Sequence, residues 1–408
     1  MLDFLCLDGP QMKYKTKILV LNCGSSSLKF KVISFPEEIE IVSGEAEKVG
    51  VKSTTSSRIK MRIENDTYEI KENLPDHFSA FKTVVNYLQG KINFDIIGHR
   101  YVHPGNEKKH SLIINEESIR YLESTLHFAP LHNPVSFSMI KFSQEIFPDI
   151  PQYAVFDISF HNTIQPEFST YALPLELSQK YNIKRYGFHG ISHQYVMEEA
   201  LKFLNVEKEK VKIISAHLGT GGSSLCAIKN GESIHNTMGF TPLEGLIMNT
   251  RSGDIDIGIV LYIMFLKKFT PDQMDNILNK QSGLAGIYKE TSDLREIASR
   301  VNDDGRAEKA FDMYVRRIKK YIGFYFLILE GFNVLIFTDT LGVEVPLLRE
   351  KICDEMDFLG IKLDKEKNKN STDYCLKDIS ADGSKVKILV VPTNEELMIA
   401  REIYRGIK

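Results

Sequence analysis

Residues 17–34 read KILVLNCGSSSLKFKVIS, and residues 212–228 read KIISAHLGTGGSSLCAI. In each stretch an apolar run leads into a short turn rich in glycine and serine, and a second β-prone run follows. Both stretches are therefore predicted to form a strand, a tight turn and an antiparallel return strand. Glycine lets the backbone approach a ligand closely, and serine offers hydroxyl and backbone N–H groups to an anion. One such turn in each half predicts two similar domains that each present a phosphate-binding loop to one cleft.

The composition is that of an ordinary globular protein. The chain has 408 residues, of which 43% are hydrophobic and 26% charged, enough for two domains with substantial cores. A net charge of −3 gives no reason to expect nucleic acid or an anionic membrane as a partner. Five cysteines without a C-x-x-C motif argue against a disulfide framework or a zinc site. With no recognisable signal peptide, the sequence predicts a cytoplasmic protein.

Strand and helix patterns alternate through the rest of the chain. The apolar spacing predicts helices at His77–Leu88, Val135–Ile146 (opened by Asn133 and Pro134), Arg306–Leu329 and Asn394–Ile407. Short apolar or β-branched runs predict strands at residues 39–49, Asp95–Val102, Gln152–Ile158, Asn333–Phe337 and Val386–Val391. The polar stretch Asp364–Ser371 reads as a solvated loop. Residues 1–11 precede a natural-looking start at Met12, and we expect their removal to cost little activity or stability.

The two standard nucleotide-binding motifs do not occur. No G-x-x-x-x-G-K-[ST] loop is present, and Ser224 stands where G-x-G-x-x-G would need its third glycine. Eight segments, in order along nearly the whole chain, instead resemble the acetate kinase family: LNCGSSSLKF (21–30), HRYVHPG (99–105), APLHNP (129–134), FDISFH (156–161), RYGFHGISH (185–193), HLGTGGSS (217–224), MGFTPLEGLIMNTRSGDID (238–256) and PTNEEL (392–397).

The resemblance implies an α/β fold of two duplicated ribonuclease-H-like domains, as in actin-like ATPases, with a central cleft. Residues 1–160 with the C-terminal helix 394–408 would form the first domain. Residues 161–393 would form the second and carry the phosphate-donor site. The implied reaction is reversible transfer of a phosphoryl group between ATP and acetate, giving acetyl phosphate and ADP. It would require Mg²⁺, with Mn²⁺ as an alternative, and the family resemblance also implies a homodimer.

Two arginines and an aspartate are the strongest catalytic candidates. By resemblance, Arg100 and Arg251 flank the transferring phosphoryl group, and Asp157 organises the magnesium and the arginines. Acetate, with a pKa of roughly 4–5, is already ionised at neutral pH, so the reaction needs no general base. The difficulty is that an anion must attack a polyanion, and positive charge in a water-poor site relieves it. Without the resemblance, a strand-end or turn aspartate would be the more ordinary interpretation of Asp157, and a structural arginine bound to carbonyls that of Arg100.

The remaining site residues are assigned by the resemblance. Metal ligands would be Asn22 and Glu395, whose oxygens suit magnesium. The acetate methyl would meet Val102, Leu131 and Pro242, with Arg100 on the carboxylate. Phosphate or nucleotide would contact Ser25, Ser27, Lys29, His132, His217, Leu218, Gly219, Thr220, Gly221, Asp293, Arg295, Asp339, Thr340 and Gly342.

The histidines do not indicate a zinc site. His189 and His193 are four residues apart, but no H-E-x-x-H motif occurs and no cysteine lies near them in sequence. By resemblance, His189 is catalytic and, with His132 and His217, donates hydrogen bonds to phosphoryl oxygens. His99, His103 and His193 are equally consistent with structural roles.

The loop that should receive adenosine departs from the family pattern. The family reads F-T-G-G-I-G-E-N where this chain has FTDTLGVEV at residues 337–345, so Asp339 and Thr340 replace two glycines. This departure resembles the acetate kinases that use pyrophosphate. An enzyme that forms acetate and diphosphate from acetyl phosphate and orthophosphate is therefore one alternative. A non-catalytic module that binds acetyl phosphate or a nucleotide is the second, and retention of the catalytic candidates argues against it.

Overall fold

The chain forms two compact units, each built on one sheet. The computed structural model describes residues 15–51, 57–130 and 132–408. The first unit comprises the chain up to Phe156 together with Glu396–Lys408, and the second comprises Asp157–Glu395. Within the described ranges, no helix combines the length and apolar character needed to span a bilayer. Residues 1–11 and Leu131, both included in the predictions from sequence, lie outside the described residues.

In its described residues, the first unit contains a sheet of eight strands and three helices that precede Phe156. Its strands are β1 (Thr16–Cys23), β2 (Ser27–Phe35), β3 (Ile39–Glu47), β4 (Arg58–Ile63), β5 (Asp66–Lys71), β6 (Ile96–Tyr101), β7 (Ser111–Ile113) and β8 (Gln152–Phe156). The helices are α1 (His77–Leu88), α2 (Glu116–Ser124) and α3 (Asn133–Ile146). The strand order is β5-β4-β3-β2-β1-β6-β8-β7, with β6 parallel to both β1 and β8.

The second unit contains a sheet of six strands and a larger set of helices. In chain order it has α4 (Pro166–Ser169), α5 (Leu175–Tyr181), α6 (Gly190–Leu204), β9 (Lys212–Leu218), β10 (Ser223–Lys229), β11 (Glu232–Asn236), α7 (Ile257–Lys267), α8 (Pro271–Lys280), α9 (Gly283–Ile287), α10 (Leu294–Ser299), α11 (Gly305–Ile328), β12 (Val334–Thr338), α12 (Asp339–Glu344), α13 (Pro346–Cys353), α14 (Lys365–Lys369), β13 (Lys377–Asp378) and β14 (Lys387–Val390). The strand order is β11-β10-β9-β12-β14-β13. The last helix of the chain, α15 (Glu395–Gly406), belongs to the first unit from Glu396 onward.

The two sheets repeat one topology, as the paired sequence stretches predicted. In each unit three consecutive strands form an antiparallel meander, and the next two core strands run parallel to the first strand on its other side. The matching strands are β3-β2-β1-β6-β8 in the first unit and β11-β10-β9-β12-β14 in the second. Each glycine- and serine-rich turn therefore follows the strand at the centre of its sheet.

Apolar periodicity places each sheet against a helical layer. In α11 the buried side chains recur every three or four residues, and they pack with the apolar side chains of the central strands. Asp304 caps this helix by accepting a hydrogen bond from the N–H of Arg306. In the first unit, α1 begins after Asp76, whose carboxylate accepts from the N–H of Ser79 at 2.7 Å, and its apolar face joins the core of the sheet.

The predicted elements are confirmed, with two differences. Asn133 was expected to cap α3, but it is the first residue of that helix, and its buried amide instead bonds to the backbone of His103 and Thr125. The segment Asp364–Ser371 is not a plain solvated loop, because it contains α14. There Asn368 is buried, and it accepts a hydrogen bond at 2.7 Å from the fully buried guanidinium of Arg349. Hydrophobic pattern alone could not reveal a polar packing contact of this kind.

Candidate active site

The first glycine- and serine-rich turn lies between β1 and β2. The strand register pairs Asn22 with Lys29, and the N–H of Gly24 donates to the carbonyl of Ser27 at 2.9 Å, which closes the turn. Ser25 and Lys29 are exposed, whereas Ser27 is half-buried. The turn thus displays polar side chains at its tip, while the strands that hold it are buried.

Asn22 is the buried polar residue of the first turn. Its Nδ2 donates to the Glu396 carboxylate at 2.8 Å, and its Oδ1 accepts from Arg100 Nη1 at 3.4 Å. Glu396 is itself buried. The adjacent pair of glutamates at 395 and 396 was visible in the sequence, but nothing there showed which carboxylate would face Asn22. The side chain of Asn22 therefore bonds to both Glu396 and Arg100 within the first unit.

The other first-unit candidates occupy the ends of β6 and α3. Val102 is buried directly after β6, and His132 is half-buried at the position that precedes α3. His99 has its Nε2 within 2.9 Å of Gln152 Oε1, and burial lowers the pKa of His99 to about 4. His99 is thus a neutral core histidine, in keeping with the structural reading of its position.

Asp157 opens the second unit at the end of the β8 strand. Its side chain is buried, and Oδ2 accepts a hydrogen bond at 3.0 Å from the backbone N–H of His189. His189 precedes α6 with a φ of 58°, a left-handed conformation. The next residue must be glycine, because a Cβ at Gly190 would lie 2.2 Å from the carbonyl oxygen of Asp157. Asp157 therefore helps to fix the backbone that carries His189.

His189 and His217 form a stacked pair beside the second turn. Their ring centroids are 4.1 Å apart, with an angle of 26° between the planes. Nδ1 of His189 lies 3.0 Å from Ser224 Oγ, and Nδ1 of His217 lies 2.9 Å from Ser192 Oγ. Serine partners thus hold both rings, and the histidine spacing in the sequence gave no indication of them.

Arg251 converges with His189 on the second turn. A Cβ added at Gly222 would lie 3.2 Å from Arg251 Nη1 and 3.5 Å from His189 Nε2. Arg251 Nη1 also contacts the carbonyl of Pro242 at 3.5 Å. Burial lowers the pKa of Arg251, and among the described residues no carboxylate lies within ion-pair distance of its guanidinium. A largely desolvated cation without an acidic partner is an arrangement suited to an anionic ligand.

The departure at Asp339 has a direct structural consequence. Asp339 has a φ of 61°, in the left-handed region where glycine is favoured, and its Oδ2 lies 3.1 Å from His217 Nε2. A Cβ at Gly219 would lie 2.0 Å from that same carboxylate oxygen. Although burial alone would lower the pKa of His217, the Asp339 carboxylate raises it, with further contributions from Glu395 and Asp157. Asp339 thus places a negative charge against the second turn.

The remaining predicted residues of the second unit lie in the second turn itself and at α10 and α12. Asp293 caps α10 and pairs with Arg295 at 2.6 Å, and Arg295 also reaches Glu344 at the end of α12 at 2.9 Å. Leu218 and Gly342 are buried, while Thr340 donates to the Asp339 carboxylate at 3.3 Å. Thr220 is half-buried and Gly221 exposed in the turn itself. Glu344 was missed from the sequence, because it pairs with a residue 49 positions away.

Comparisons with known proteins agree with this architecture. The family model described as the acetokinase family matches residues 17–401. An acetate kinase of Dictyoglomus turgidum is 45% identical over 401 residues, covering 96% of this chain and 98% of the relative. The crystal structure of Porphyromonas gingivalis acetate kinase matches with a TM-score of 0.87 and 37% identity, covering 96% of this chain and 100% of the other.

A second solved structure is equally similar. A propionate kinase from Francisella tularensis has a TM-score of 0.87 and 38% identity, covering 95% of this chain and 98% of the other. These matches over nearly full length confirm the predicted α/β fold with its duplicated actin-like domains. On its sequence match and on its structure, this chain belongs to the acetokinase family.

Proposed function

We propose that this chain is an acetate kinase, which transfers a phosphoryl group reversibly between ATP and acetate to give acetyl phosphate and ADP. Membership of the acetokinase family supports the reaction class. The observation that carries the assignment of the site is the convergence of Arg251 and His189 on Gly222. A half-buried guanidinium, without a carboxylate partner among the described residues, and an imidazole meet there at a residue that has no side chain.

The residue roles follow the chemistry of the reaction. Arg251 and His189 stabilise the charge that spreads over the phosphoryl oxygens in the transition state. Arg100 binds the acetate carboxylate, and Asp157 holds the backbone of His189 in place. Acetate attacks as the carboxylate, so no residue needs to remove a proton. His132 and His217 are further donors to phosphate, although the Nε2 of His217 is directed at Asp339 in this structure.

Magnesium fits the oxygen-bearing side chains of the site. Asn22 and Glu395 would hold the ion, assisted by Asp157, and Mg²⁺ prefers such oxygen ligands and keeps several waters. When bound, it would neutralise charge on the phosphates. The hydrogen bond between Asn22 and Glu396 orients the amide of Asn22 for this role.

We assign the binding site of the phosphoryl donor, ATP, to the second unit. From the first turn, phosphate would be contacted by Ser25, Ser27 and Lys29. The nucleotide would instead contact Gly219, Thr220 and Gly221 together with Asp293, Arg295 and α12.

Purified protein given acetyl phosphate with ADP should form ATP, detected with hexokinase and glucose-6-phosphate dehydrogenase. Formation of pyrophosphate from acetyl phosphate and orthophosphate, without ATP formation from ADP, would replace ATP by the pyrophosphate alternative. Failure of both reactions would contradict the proposed function.

We also infer that the enzyme selects acetate over acids with a longer acyl chain. Val102, Leu131 and Pro242 would enclose the acetate methyl, and an additional methylene is worth only ~1–3 kcal/mol in such a pocket. We therefore expect propionate to react with a lower kcat/KM than acetate, by about ten- to a hundredfold. Equal kcat/KM for the two acids in a hydroxamate assay would show that these residues do not define a methyl-sized pocket.

We also propose that the protein is a homodimer that uses α7. This helix reads IGIVLYIMFLK and has no buried residue. Phe265 is 85% exposed, Ile257 65% and Tyr262 64%, a degree of apolar exposure that is unusual for a monomer surface. Phe265→Glu should shift the mass measured by light scattering toward the monomer, with Phe358→Glu, at an exposed phenylalanine elsewhere, as the matched control. A monomeric wild-type protein at micromolar concentration would contradict this assignment.

A further inference from the structure

Four buried or half-buried side chains of the second unit form a continuous row of hydrogen bonds that ends at the proposed catalytic histidine. Ser215 Oγ, on β9, lies 2.9 Å from Nδ1 of His193, on α6. His193 Nε2 lies 2.8 Å from Ser224 Oγ, on β10, and Ser224 Oγ lies 3.0 Å from His189 Nδ1. The order Ser215–His193–Ser224–His189 links the sheet interior to the ring beside Gly222.

The direction of these hydrogen bonds is set at Ser215. Its side chain is fully buried, and the described residues offer its hydroxyl no other partner than His193. A buried hydroxyl hydrogen without an acceptor costs ~1–3 kcal/mol. Ser215 therefore donates to Nδ1 of His193, and that nitrogen acts as the acceptor.

The hydrogen positions on His193 and Ser224 determine the one on His189. His193 is fully buried, and burial lowers its pKa well below the ordinary value, so the ring is neutral and carries one hydrogen. Because Nδ1 accepts, that hydrogen is on Nε2 and is donated to Ser224. Ser224 is also fully buried, and its own hydrogen has one remaining use, donation to Nδ1 of His189. His189 consequently carries its hydrogen on Nε2.

We propose that His193, together with Ser215 and Ser224, is a positioning residue that fixes His189 as the neutral tautomer with a hydrogen on Nε2. This inference rests on the proposed function, in which His189 donates a hydrogen bond to a phosphoryl oxygen. Nε2 is the ring nitrogen near Gly222, the position that it shares with Arg251 Nη1. The fixed tautomer thus presents an N–H donor, not a lone pair, to the anion.

The two other states of His189 are disfavoured by the same row. With hydrogen on Nδ1, His189 would turn a lone pair toward the phosphoryl oxygens, and the reversed row would leave the Ser215 hydroxyl hydrogen without an acceptor. With hydrogen on both nitrogens, His189 and His193 would both donate to Ser224, and the Ser224 hydrogen would be unsatisfied. Each alternative therefore leaves a buried donor unpaired, which the observed arrangement avoids.

The direct test is the tautomer of His189 in the full-length protein labelled with ¹⁵N-histidine. Long-range ¹H–¹⁵N spectra distinguish a protonated Nε2 from a protonated Nδ1, and the His189→Gln variant identifies the resonances of His189. The wild-type protein should show His189 neutral with hydrogen on Nε2. Hydrogen on Nδ1, or on both nitrogens at neutral pH, would overturn the proposal whether or not the protein proves to be an acetate kinase.

Variants then link the tautomer to turnover. Ser215→Ala and Ser224→Ala should give mixed tautomers at His189 and lower kcat by ~10–100-fold, the usual effect of losing an outer partner of a functional histidine, with a smaller change in KM. Ser215→Thr, which retains the hydroxyl, should restore both. Ser233→Ala is the matched control, because it removes a buried serine bonded at 2.8 Å to a different histidine, His161. If Ser215→Ala and Ser224→Ala leave the His189 tautomer unchanged, the row does not set it. A tautomer shift without any change in kcat would support the positioning of His189 by this row and would contradict the proposed role of His189 in turnover.

Discussion

The two glycine- and serine-rich turns have equivalent places in their sheets but different surroundings. The first turn, after β1, displays exposed side chains at Ser25 and Lys29. At the second, after β9, the Asp339 carboxylate lies against Gly219, and Ser223 and Ser224 at the start of β10 are fully buried. The two hairpins thus differ in their polar side chains. The first exposes them, whereas in the second a buried serine, Ser224, forms hydrogen bonds with His189 and His193.

Buried hydrogen-bond partners hold two histidines beside the second turn. There the rings of His189 and His217 are held by serines within 3.0 Å, and Asp157 fixes the backbone of His189. In the first unit, Arg100 meets Asn22 at the longer distance of 3.4 Å. We expect groups that act on transition-state charge to need such support, since preorganisation is what makes such charges effective.

The largest effect should come from Arg251. Arg251→Leu removes the half-buried cation beside Gly222 and should lower kcat by at least about a hundredfold, because the guanidinium is proposed to act mainly on charge that develops during transfer. The fold should remain intact, which circular dichroism can verify. Arg306→Leu, at an exposed arginine of α11, serves as the matched control and should leave kcat unchanged. Near-normal turnover of Arg251→Leu would remove this residue from the proposed mechanism.

Arg100 should respond differently, because it is proposed to bind the substrate carboxylate in the ground state as well. Arg100→Leu should raise the KM for acetate by about tenfold or more, the equivalent of one ~1.4 kcal/mol interaction, in addition to lowering kcat. Steady-state kinetics with acetate as the varied substrate separates the two parameters. An unchanged KM for acetate would mean that Arg100 contributes only to transition-state charge, and the contrast between the two arginines would disappear.

The sequence predicted the duplication and most elements because both depend on local patterns. Apolar periodicity and glycine placement are visible within 10 or 20 residues, so the hairpins and long helices could be located directly. The polar contacts were less accessible. Glu396 meets Asn22 across 374 positions, and Ser215 meets His193 through the packing of a strand on a helix. One sequence carries no signal for such distant polar partners.

The departure at Asp339 shows both the reach and the limit of sequence reasoning. Replacement of two glycines by Asp339 and Thr340 was evident from the sequence. The partner of the new carboxylate was not evident: His217 was predicted to donate to phosphate, yet its Nε2 faces Asp339 at 3.1 Å. Asp339 thus adds bulk beside the second turn and also occupies the ring nitrogen of a neighbouring histidine.

Removing this carboxylate should make the second turn more open to a nucleotide. Asp339→Gly combined with Thr340→Gly should lower the KM for ATP by about tenfold, since relief of ~1.4 kcal/mol of steric and charge repulsion suffices. Asp339→Asn keeps the volume and removes the charge, so comparison of the two variants separates the two causes. Wild-type protein that already binds ATP tightly and selects adenine over other purines in titration calorimetry would contradict the assignment of residues 339 and 340 to the nucleotide loop.

The smallest effect should be a dependence of stability on pH that comes from His217 and Asp339. The folded protein raises the pKa of His217 above its ordinary value, chiefly through the nearby Asp339 carboxylate acting against burial. A raised pKa means that the folded state binds the proton more tightly than the unfolded state. The stabilisation is therefore fully present below the unfolded value of roughly 6.5 and is lost as pH rises through the higher folded value.

This sign can be checked by urea unfolding of the wild type and Asp339→Asn between pH 5.5 and 9. The free energy of unfolding of the wild type should exceed that of the variant most at the acidic end, by on the order of 1 kcal/mol, and the difference should shrink as His217 loses its proton. His217→Gln should remove the pH dependence of the difference, because the titrating partner is then absent. If the advantage of the wild type instead grows with pH, His217 is not protonated in the folded protein, and the Asp339 carboxylate is held by a neutral imidazole donor.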